Sequence, residues 1–274
     1  MGKLMAWALV SAGLVIAAPA AAQTEAAPSP AMAKALANAN RDADRPRDQF
    51  RHPAQTLAFF QVEPGMKVGE YAPGGGWYSR VLGNYMNAQG KLVGLYFTPE
   101  DAVFDEKARD GIRKGAAGFP AQVEKWTGRK AAGTQGLTLD TITDADKGSF
   151  DRILVIRMMH NMMRWNFADS ELKAMRDLLK PGGMMGIVQH RARPWATGDY
   201  ANGTKGYLRQ EDVIGFVEAM GFDLVGTSEI NANPRDSADH AEGVWEMPPT
   251  LRTKRDELKG LGESDRMTLL FRKR

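Results

Sequence analysis

The sequence contains no cysteine. This absence excludes disulfide frameworks, thiolate metal sites, cysteine nucleophiles and lipid attachment through cysteine. The chain also lacks any run of five or more like charges, and the formal net charge of its 274 residues is only +3. A dedicated nucleic-acid-binding protein normally carries a basic patch, so we predict no nucleic-acid partner. Hydrophobic residues nevertheless make up 43% of the chain, which is enough to build a folded core.

The longest apolar stretch lies near the start of the chain and is too short to span a membrane. Lys3 precedes the uncharged, mostly apolar residues 4–18, and three alanines at 20–22 precede a polar segment. A spanning helix needs roughly 20 apolar residues, and this layout is instead typical of a secretory signal peptide. We therefore predict a signal peptide over residues 1–22 and an exported, periplasmic protein with no stable membrane span after cleavage. The alternative is an uncleaved membrane anchor.

The rest of the sequence is predicted to form an arm and one domain. Residues 23–55 are expected to be a flexible leader and a helical arm, with a helix over 31–37. Within this arm, residues 41–51 carry seven charged side chains of mixed sign. Such a pattern is typical of a solvated face or of a salt-bridged arm. Residues 56–274 are predicted to fold as a single domain.

Strand and helix patterns alternate along this domain. Short apolar runs predict strands at 67–72, 91–97, 130–136, 150–158, 184–189, 222–228 and 267–272. Residues at helical spacing predict helices at 54–60, 77–86, 101–115, 168–179 and 210–220. Strands separated by helices indicate an α/β protein with a doubly wound, parallel sheet.

The sharpest motif is a glycine-rich loop between a predicted strand and a predicted helix. Residues 68–77 read Val-Gly-Glu-Tyr-Ala-Pro-Gly-Gly-Gly-Trp. Consecutive glycines let a ligand approach the backbone closely and expose N–H groups at the start of a helix. No Gly-Lys-Ser/Thr follows, as a P-loop requires, and the glycines are clustered rather than spaced as in a dinucleotide-binding loop. The alternative interpretation is a structural turn.

Three further sequence features help to interpret this loop. Glu70 closes the strand before the glycines, Ser-Phe-Asp at 149–151 opens a later strand, and Leu-Lys-Pro-Gly-Gly at 179–183 leads into the next one. Over the predicted domain, the sequence resembles the class I S-adenosylmethionine-dependent methyltransferases. Leu-Ala-Phe-Phe at 57–60, followed by Pro-Gly-Met-Lys-Val at 64–68, narrows this resemblance to exported bacterial proteins classed as predicted methyltransferases.

The resemblance implies a fold, a cofactor and residues that bind it. The fold is a Rossmann-like methyltransferase sheet of seven strands in the order 3-2-1-4-5-7-6, with the last hairpin antiparallel. The cofactor is S-adenosylmethionine. Glu70 matches the acid that helps hold its methionine amino group, and Asp140 could contact its adenine amino group. The loop residues expected to pack against its methionine portion are Ala72, Pro73, Gly74, Gly75 and Gly76, with Ala72 in place of the usual first glycine.

The second strand departs from the family pattern at its end. Tyr96 occupies the position of the Asp or Glu that normally binds the ribose hydroxyls. A tyrosine can donate one hydrogen bond or stack on adenine, but it cannot accept two hydroxyls as a carboxylate does. Glu100, four residues later, is an alternative partner for the ribose.

Catalytic candidates follow the fourth and fifth predicted strands, where this type of fold places substrate groups. His160 is predicted to be the general base that removes a proton from a hydroxyl or amine, and Asn161 to orient the acceptor. His190 follows the next strand at the same edge of the sheet. The alternative for each histidine is a structural role. A metal held by His160 and His190 lacks any supporting carboxylate spacing, so we predict no metal site.

Two groups of residues have less specific interpretations. His52 and His240 lie in charged loop sequence and are expected at the surface. An unusual set of methionines is expected either to pack in the core or to form an adaptable apolar pocket wall. Its members are Met158, Met159, Met162, Met163, Met184 and Met185, and Trp77 and Trp165 could add to such a wall.

These observations predict a methyltransferase that uses S-adenosylmethionine and methylates a small or lipid-like acceptor through oxygen or nitrogen. The alternative is a noncatalytic or repurposed ligand-binding protein on the same fold. Two features favour that alternative: the signal peptide directs the protein away from the cytoplasm, where this cofactor is made, and the ribose acid is replaced by Tyr96. The sequence specifies neither the methyl acceptor nor the oligomeric state.

Overall fold

Seven strands form one sheet within residues 27–274, the part of the chain that the computed structural model describes. The strands in chain order are β1 (Lys67–Tyr71), β2 (Lys91–Tyr96), β3 (Thr134–Thr138), β4 (Phe150–Ile156), β5 (Leu179–His190), β6 (Phe222–Ser228) and β7 (Arg266–Lys273). Their order in the sheet is β3-β2-β1-β4-β5-β7-β6, and β7 runs antiparallel to both of its neighbours while the first five strands are parallel. The predicted α/β fold, strand order and antiparallel last hairpin are confirmed. The predicted signal peptide lies outside the described residues.

Helices cover both faces of this sheet. They are α1 (Pro30–Ala37), α2 (Asp48–Arg51), α3 (Pro53–Phe59), α4 (Trp77–Tyr85), α5 (Glu106–Thr127), α6 (Met159–Arg164), α7 (Ala168–Leu178), α8 (Gly198–Ala201), α9 (Gln210–Ala219) and α10 (Asp256–Lys259). Within residues 27–274, no helix combines the length and the apolar character needed to cross a membrane.

The core has two halves, one on each face of the sheet. On one face, Val68, Leu154 and Leu270 pack against side chains of α1, α3, α4 and α5. On the other face, Ile153 and Ile187 pack against α6, α7 and α9. Both halves are largely apolar because parallel strands covered by helices on both sides must bury both faces. Because helices cover both faces, ligands can reach the sheet at the carboxyl ends of its strands.

Four predicted elements differ from the structure by two or more residues at a boundary. The first is β3, which spans Thr134–Thr138 rather than the predicted 130–136, because residues 131–133 form a short helical turn. Helix α5 begins later and ends later than the predicted 101–115, because the Asp105 side chain accepts a hydrogen bond from the Ala108 N–H and caps the first turn. The helix then continues through Pro120, since Phe119 and Val123 bury an apolar stripe against the sheet. The predicted strand over 150–158 ends early, at Ile156, and its last residues lead into α6 instead.

The fourth difference concerns the segment before the predicted strand 184–189. Residues 179–183, which were expected only to lead into that strand, are instead the beginning of β5, where Leu179 pairs with Phe150 and the register shifts between Phe150 and Arg152. Such an irregularity places additional residues in one strand opposite fewer in its partner. The strand is therefore 12 residues long and carries Gln189 and His190 to the carboxyl edge.

The methionines mainly fill the core. Met159, Met162 and Met185 are completely buried among core side chains. Met158 differs, because it is only partly buried and lines the main cavity. The structure therefore assigns most of this set to core packing, with one member at the pocket.

The N-terminal arm packs tightly against the domain. Met32 and Ala35 of α1 are buried in the core beside α4. Arg41 is completely buried and makes a bidentate salt bridge with Asp48, at 2.7 and 3.1 Å. The mixed charges of the arm thus form salt bridges rather than a solvated face, and they bring the arm to the carboxyl edge of the sheet.

Candidate functional site

A cavity of about 400 Å³ lies at the carboxyl ends of β1 and β4. The loop after β1, the N-terminal arm, the start of α6 and the long segment between β6 and β7 form its walls. Residues from each wall are, in that order, Ala72, Pro73, Gly74 and Gly75; Asp44, Arg47 and Arg51; Met158 and His160; and Val244, Trp245, Glu263 and Ser264. This location is where ligands bind in open α/β sheets.

The glycines of the loop have different roles. Gly76 has φ +72°, and a Cβ there would lie 2.2 Å from the Trp126 ring, so this glycine is required by the packing. A Cβ at Gly75 would meet no protein atom within 4 Å, and Gly75 lines the cavity. The structural interpretation therefore holds for Gly76, whereas Gly75 presents its backbone to open space.

Ala72 adopts a backbone conformation that favours glycine. Its φ is +47°, in the left-handed region, and its N–H donates to the Leu95 carbonyl at 2.7 Å. The loop thus keeps the conformation expected of the usual first glycine even though a β-carbon is present. A non-glycine residue in this region costs roughly 1–2 kcal/mol.

Glu70 is a buried carboxyl group in the cavity wall. It is 3% exposed, and its Oε2 accepts a hydrogen bond from the Ser79 hydroxyl at 2.6 Å. Burial raises the pKa of Glu70 to about 8, against the opposing effects of Ser79 and the charge of Arg80. At neutral pH this carboxyl therefore holds a proton that a nearby cation would displace.

His160 is held in one orientation by Gln189. The Gln189 amide nitrogen donates to the carbonyls of Gly206 and His190 at 2.8 and 3.2 Å, so its Oε1 faces His160. Oε1 accepts from the backbone N–H of His160 and lies 3.2 Å from Nδ1. This pairing assigns the ring proton to Nδ1 and leaves the Nε2 lone pair as the basic site. Burial lowers the pKa of His160 to about 4, with Arg164 and Arg157 adding to the effect and the Gln189 hydrogen bond opposing it.

His190 lies beside His160 in the same cavity. The two ring centroids are 5.5 Å apart. His190 Nδ1 is 2.6 Å from the Ser264 hydroxyl, and burial is the main cause that holds its pKa well below the ordinary value. Both rings are therefore neutral at physiological pH.

The structure does not bring every predicted site residue to this cavity. Gly76, Asn161, Tyr96 and Asp140 are not among its lining residues within 27–274. The Asn161 amide nitrogen contacts the Met158 sulfur at 3.6 Å, while its Oδ1 is buried without a hydrogen-bond partner in the described part of the chain. Tyr96 packs edge-on against Phe119, with ring centroids 6.2 Å apart.

Asp140 and Glu100 lie at the surface. Asp140 is exposed in a short turn after β3, and Glu100 pairs with Arg109 and Arg113 of α5. Across the described residues, no group of three or more His, Asp or Glu side chains is placed to hold a metal ion.

His240 was expected at the surface, but the structure buries it. It is 6% exposed, and its Nε2 lies 2.9 Å from Asp236, which is fully buried. The Asp236 carboxylate also accepts from the Tyr207 hydroxyl at 2.9 Å. This ion pair orders the segment between β6 and β7, so the histidine has a structural role there.

Six charged residues of the cavity wall were missed by sequence reasoning. They are Asp44, Arg47 and Arg51 from the arm, Arg80 of α4, Arg157 after β4 and Glu263 before β7. The mixed charges over 41–51 indicated a salt-bridged arm, but no local pattern places that arm at the cavity. Only Arg157 had a local signal, because it is an arginine directly after a buried apolar strand.

Comparisons with known proteins identify the fold. No protein-family model matches the chain, and the comparison with curated proteins gives no match. A SAM dependent methyltransferase from Aquifex aeolicus is similar in structure, with a TM-score of 0.52 and 14% identity over 86% of this chain and 97% of that one. The 4+2 cyclase SpnF has a TM-score of 0.53 and 16% identity over 86% of this chain and 85% of its own. MccD protein has a TM-score of 0.51 and 12% identity over 81% of this chain and 96% of its own.

The chain has the Rossmann-like methyltransferase fold. Its sheet order and antiparallel last hairpin agree with these neighbours. One neighbour is named as a methyltransferase and another as a cyclase, so the fold indicates where ligands bind rather than which reaction occurs. The chemistry must be argued from the cavity.

Proposed function

We propose that this protein is an S-adenosylmethionine-dependent methyltransferase that acts on a small or lipid-like acceptor through oxygen or nitrogen. One observation carries the proposal. The glycine loop, the buried Glu70 carboxyl and a neutral His160 line a single cavity at the carboxyl edge of a methyltransferase-type sheet.

The residues of the cavity fit the methionine portion of this cofactor. Glu70 supplies a carboxylate for an amino group, and the open side of Gly75 allows a ligand to lie against the backbone. A volume of about 400 Å³ is within the usual range for small-molecule sites. Tyr96 and Asp140 stay sequence-based predictions for the ribose and adenine ends.

The residues of the cavity can remove a proton from the methyl acceptor. When bound, S-adenosylmethionine supplies an electrophilic methyl group on a positively charged sulfur. An acceptor hydroxyl or amine that takes up this methyl group loses one proton, and the His160 Nε2 lone pair is available to accept it. Gln189 fixes the ring, and Trp245, whose ring centroid is 6.3 Å from that of His160, helps to exclude water. His190 and Ser264 stand beside the acceptor's place.

The test is a calorimetric titration with S-adenosylmethionine and with S-adenosylhomocysteine at pH 7. The two ligands are titrated in buffers of different ionisation enthalpy. We expect binding with release of about one proton, because a ligand ammonium group would lower the raised pKa of Glu70 below neutral. The Glu70→Gln variant should bind more weakly and release no proton. The absence of binding for both ligands would instead favour a repurposed binding protein.

A further inference from the structure

The wall of the cavity formed by the arm holds more positive than negative charge. Glu263 lies between three guanidinium groups: its oxygens are 2.6 Å from Arg47, 3.1 Å from Arg51 and 3.2 Å from Arg266. Arg157 is a fourth cation close to this group, and its pKa is influenced by the charges of all four residues. One carboxylate thus faces four arginines.

Other nearby acids do not balance this excess. Asp44 makes a bidentate pair with Arg80, with one oxygen 2.7 Å from the guanidinium. Asp265 pairs with Arg191 at 3.0 and 3.1 Å, and Arg191 also pairs with Glu229 at 2.7 Å. Asp44 is thus neutralised by Arg80 and Asp265 in part by Arg191, so the four arginines around Glu263 keep an excess of positive charge.

Donor groups of these arginines are also left without partners. Arg51 is only 2% exposed, and its Nη2 has no hydrogen-bond partner within residues 27–274. The same is true of Arg47 Nη2. A buried donor without a partner is costly in free energy, so such atoms in a cavity wall indicate a ligand that accepts from them.

Arg157 combines two unfavourable features. Its φ is +57°, in the left-handed region. Its half-buried side chain lines the cavity and makes no hydrogen bond or salt bridge with any residue that the structure describes. Desolvation, together with the charges of Arg51 and Arg266, lowers the pKa of Arg157 to about 9. Neither feature stabilises the fold. A strained backbone and an unpaired charge in a cavity wall are retained where a site requires them.

We propose that the cavity binds its methyl acceptor through an anionic group, a carboxylate or a phosphate, held by Arg47, Arg51 and Arg157. The forked guanidinium matches the oxygens of such groups in pairs. Trp77 and Trp245 line the same cavity and provide apolar surface for the rest of a small organic molecule. This inference rests on the proposed function, because it assigns the substrate class of that same site.

The carboxylate of the cofactor's methionine portion is a second source of the same chemistry. A single carboxylate cannot satisfy the free donors of Arg47, Arg51 and Arg157 together, so it leaves arginine donors for the acceptor. The two sources are distinguished by asking whether an anion and the cofactor product bind together or exclude each other.

The experiment titrates inorganic phosphate, and then benzoate with neutral benzamide as its matched control, into the protein saturated with S-adenosylhomocysteine. We expect phosphate and benzoate to bind and benzamide to bind much more weakly. Arg157→Met should lose about tenfold or more of the anion affinity, and Arg157→Lys should lie in between, because it keeps the charge without the fork. Arg113→Met, on the exposed face of α5, serves as the control and should leave the affinity unchanged. The Arg157→Met protein should stay folded, since the removed charge has no partner to lose.

Three results would overturn the proposal. They are the absence of anion binding to the unaltered protein, an unchanged anion affinity in Arg157→Met, and displacement of the anion by S-adenosylhomocysteine, which would assign the arginines to the cofactor carboxylate. A different result would contradict the proposed function alone: S-adenosylhomocysteine does not bind, while phosphate still binds in a manner that depends on Arg157.

Discussion

At the residue scale, His160 is a neutral base rather than a histidine poised between two charge states. Its environment lowers its pKa to about 4, well below the ordinary value near 6.5. A general base works only in its unprotonated form, so the lowered pKa keeps His160 competent over the whole neutral range. The same burial makes it a weaker base, and Gln189 compensates by holding Nε2 ready for the acceptor.

This environment predicts an unusual pH profile. Turnover efficiency should hold as the pH falls through 6.5 and decline only as it approaches about 4, because protonation of His160 is what removes the base. His160→Ala should lower turnover by roughly 10²–10⁴-fold, the usual effect of losing such a group. The measurement is kcat/KM against pH for both proteins, after an acceptor screen. An inflection near 6.5, or full turnover in His160→Ala, would assign the residue a structural role.

Sequence reasoning identified the local part of the site but not the part assembled by the fold. Glu70, Gly75, His160 and His190 all line the cavity, because each lies at or shortly after the carboxyl end of a parallel strand that can be read from the apolar pattern. Arg51 could not be found this way. It lies far from the strands in sequence and reaches the cavity only through its contact with Glu263, a tertiary pairing that no local pattern encodes.

At the element scale, one carboxylate ties the N-terminal arm to the strand hairpin. Glu263 precedes β7 and binds Arg47 and Arg51 of the arm. Burial opposes its ionisation, yet the charges of Arg266, Arg51 and Arg47 together hold the pKa of Glu263 below its ordinary value. The stability from this group is therefore present above the unfolded pKa of about 4.3 and is lost as the pH falls through the lower, folded value.

Removing this carboxylate should loosen the arm. Glu263→Gln leaves three arginines without an anion, and breaking a buried pair in this way costs about 3–5 kcal/mol. We expect a drop of that size in the free energy of unfolding, measured by urea denaturation at pH 7. Glu257→Gln is the matched control, because Glu257 makes an exposed pair with Arg255 and its loss should leave stability nearly unchanged. Equal stability of the two variants would contradict the arm's docking role.

The segment between β6 and β7 depends on a second pair, His240 and Asp236. The hydrogen bond with Asp236 raises the pKa of His240 above its ordinary value, against the effect of burial. Stability from the charged histidine is thus fully present below the unfolded pKa of about 6.5 and is lost as the pH rises through the folded value.

The free energy of unfolding should show this dependence. The unaltered protein should be more stable than His240→Gln by about 1.5–3 kcal/mol near pH 5.5, the usual size for a hydrogen bond to a charged group, and this difference should shrink by pH 9. Thermal denaturation at several pH values measures it. A difference that grows with pH would show that His240 is neutral in the folded protein.

Sequence predicted helices and strands best where the hydrophobic pattern has a clear period. It predicted them worst where a capping side chain or burial in the core determines where the element begins or ends. The strand Phe222–Ser228 was predicted with both boundaries correct, because glycine ends the preceding helix and an apolar run follows. Helix α6 was missed, since its six residues are too few to show a helical period and only two residues separate it from β4. The true start of α5 depends on the Asp105 cap, a single polar side chain.

At the scale of the whole molecule, the fold locates the site and the side chains determine its chemistry. The sheet brings β1 and β4 together at its centre, so the glycine loop and His160 meet although about 80 residues separate them in the chain. The arm and the segment before β7 close over this edge and contribute the arginines. A methyltransferase fold is thereby combined with a cavity wall rich in positive charge.

The central claim is that a cofactor lies against the open side of Gly75. The most direct test is calorimetric titration of S-adenosylhomocysteine into Gly75→Val and into Gly118→Val, a matched control on an exposed face of α5 where an added Cβ likewise meets no protein atom within 4 Å. Both variants should fold, as circular dichroism would confirm. We predict that Gly75→Val loses binding while Gly118→Val keeps the affinity of the unaltered protein. Unchanged affinity in a folded Gly75→Val protein would contradict the account, because a ligand lying against Gly75 would have to meet the added side chain.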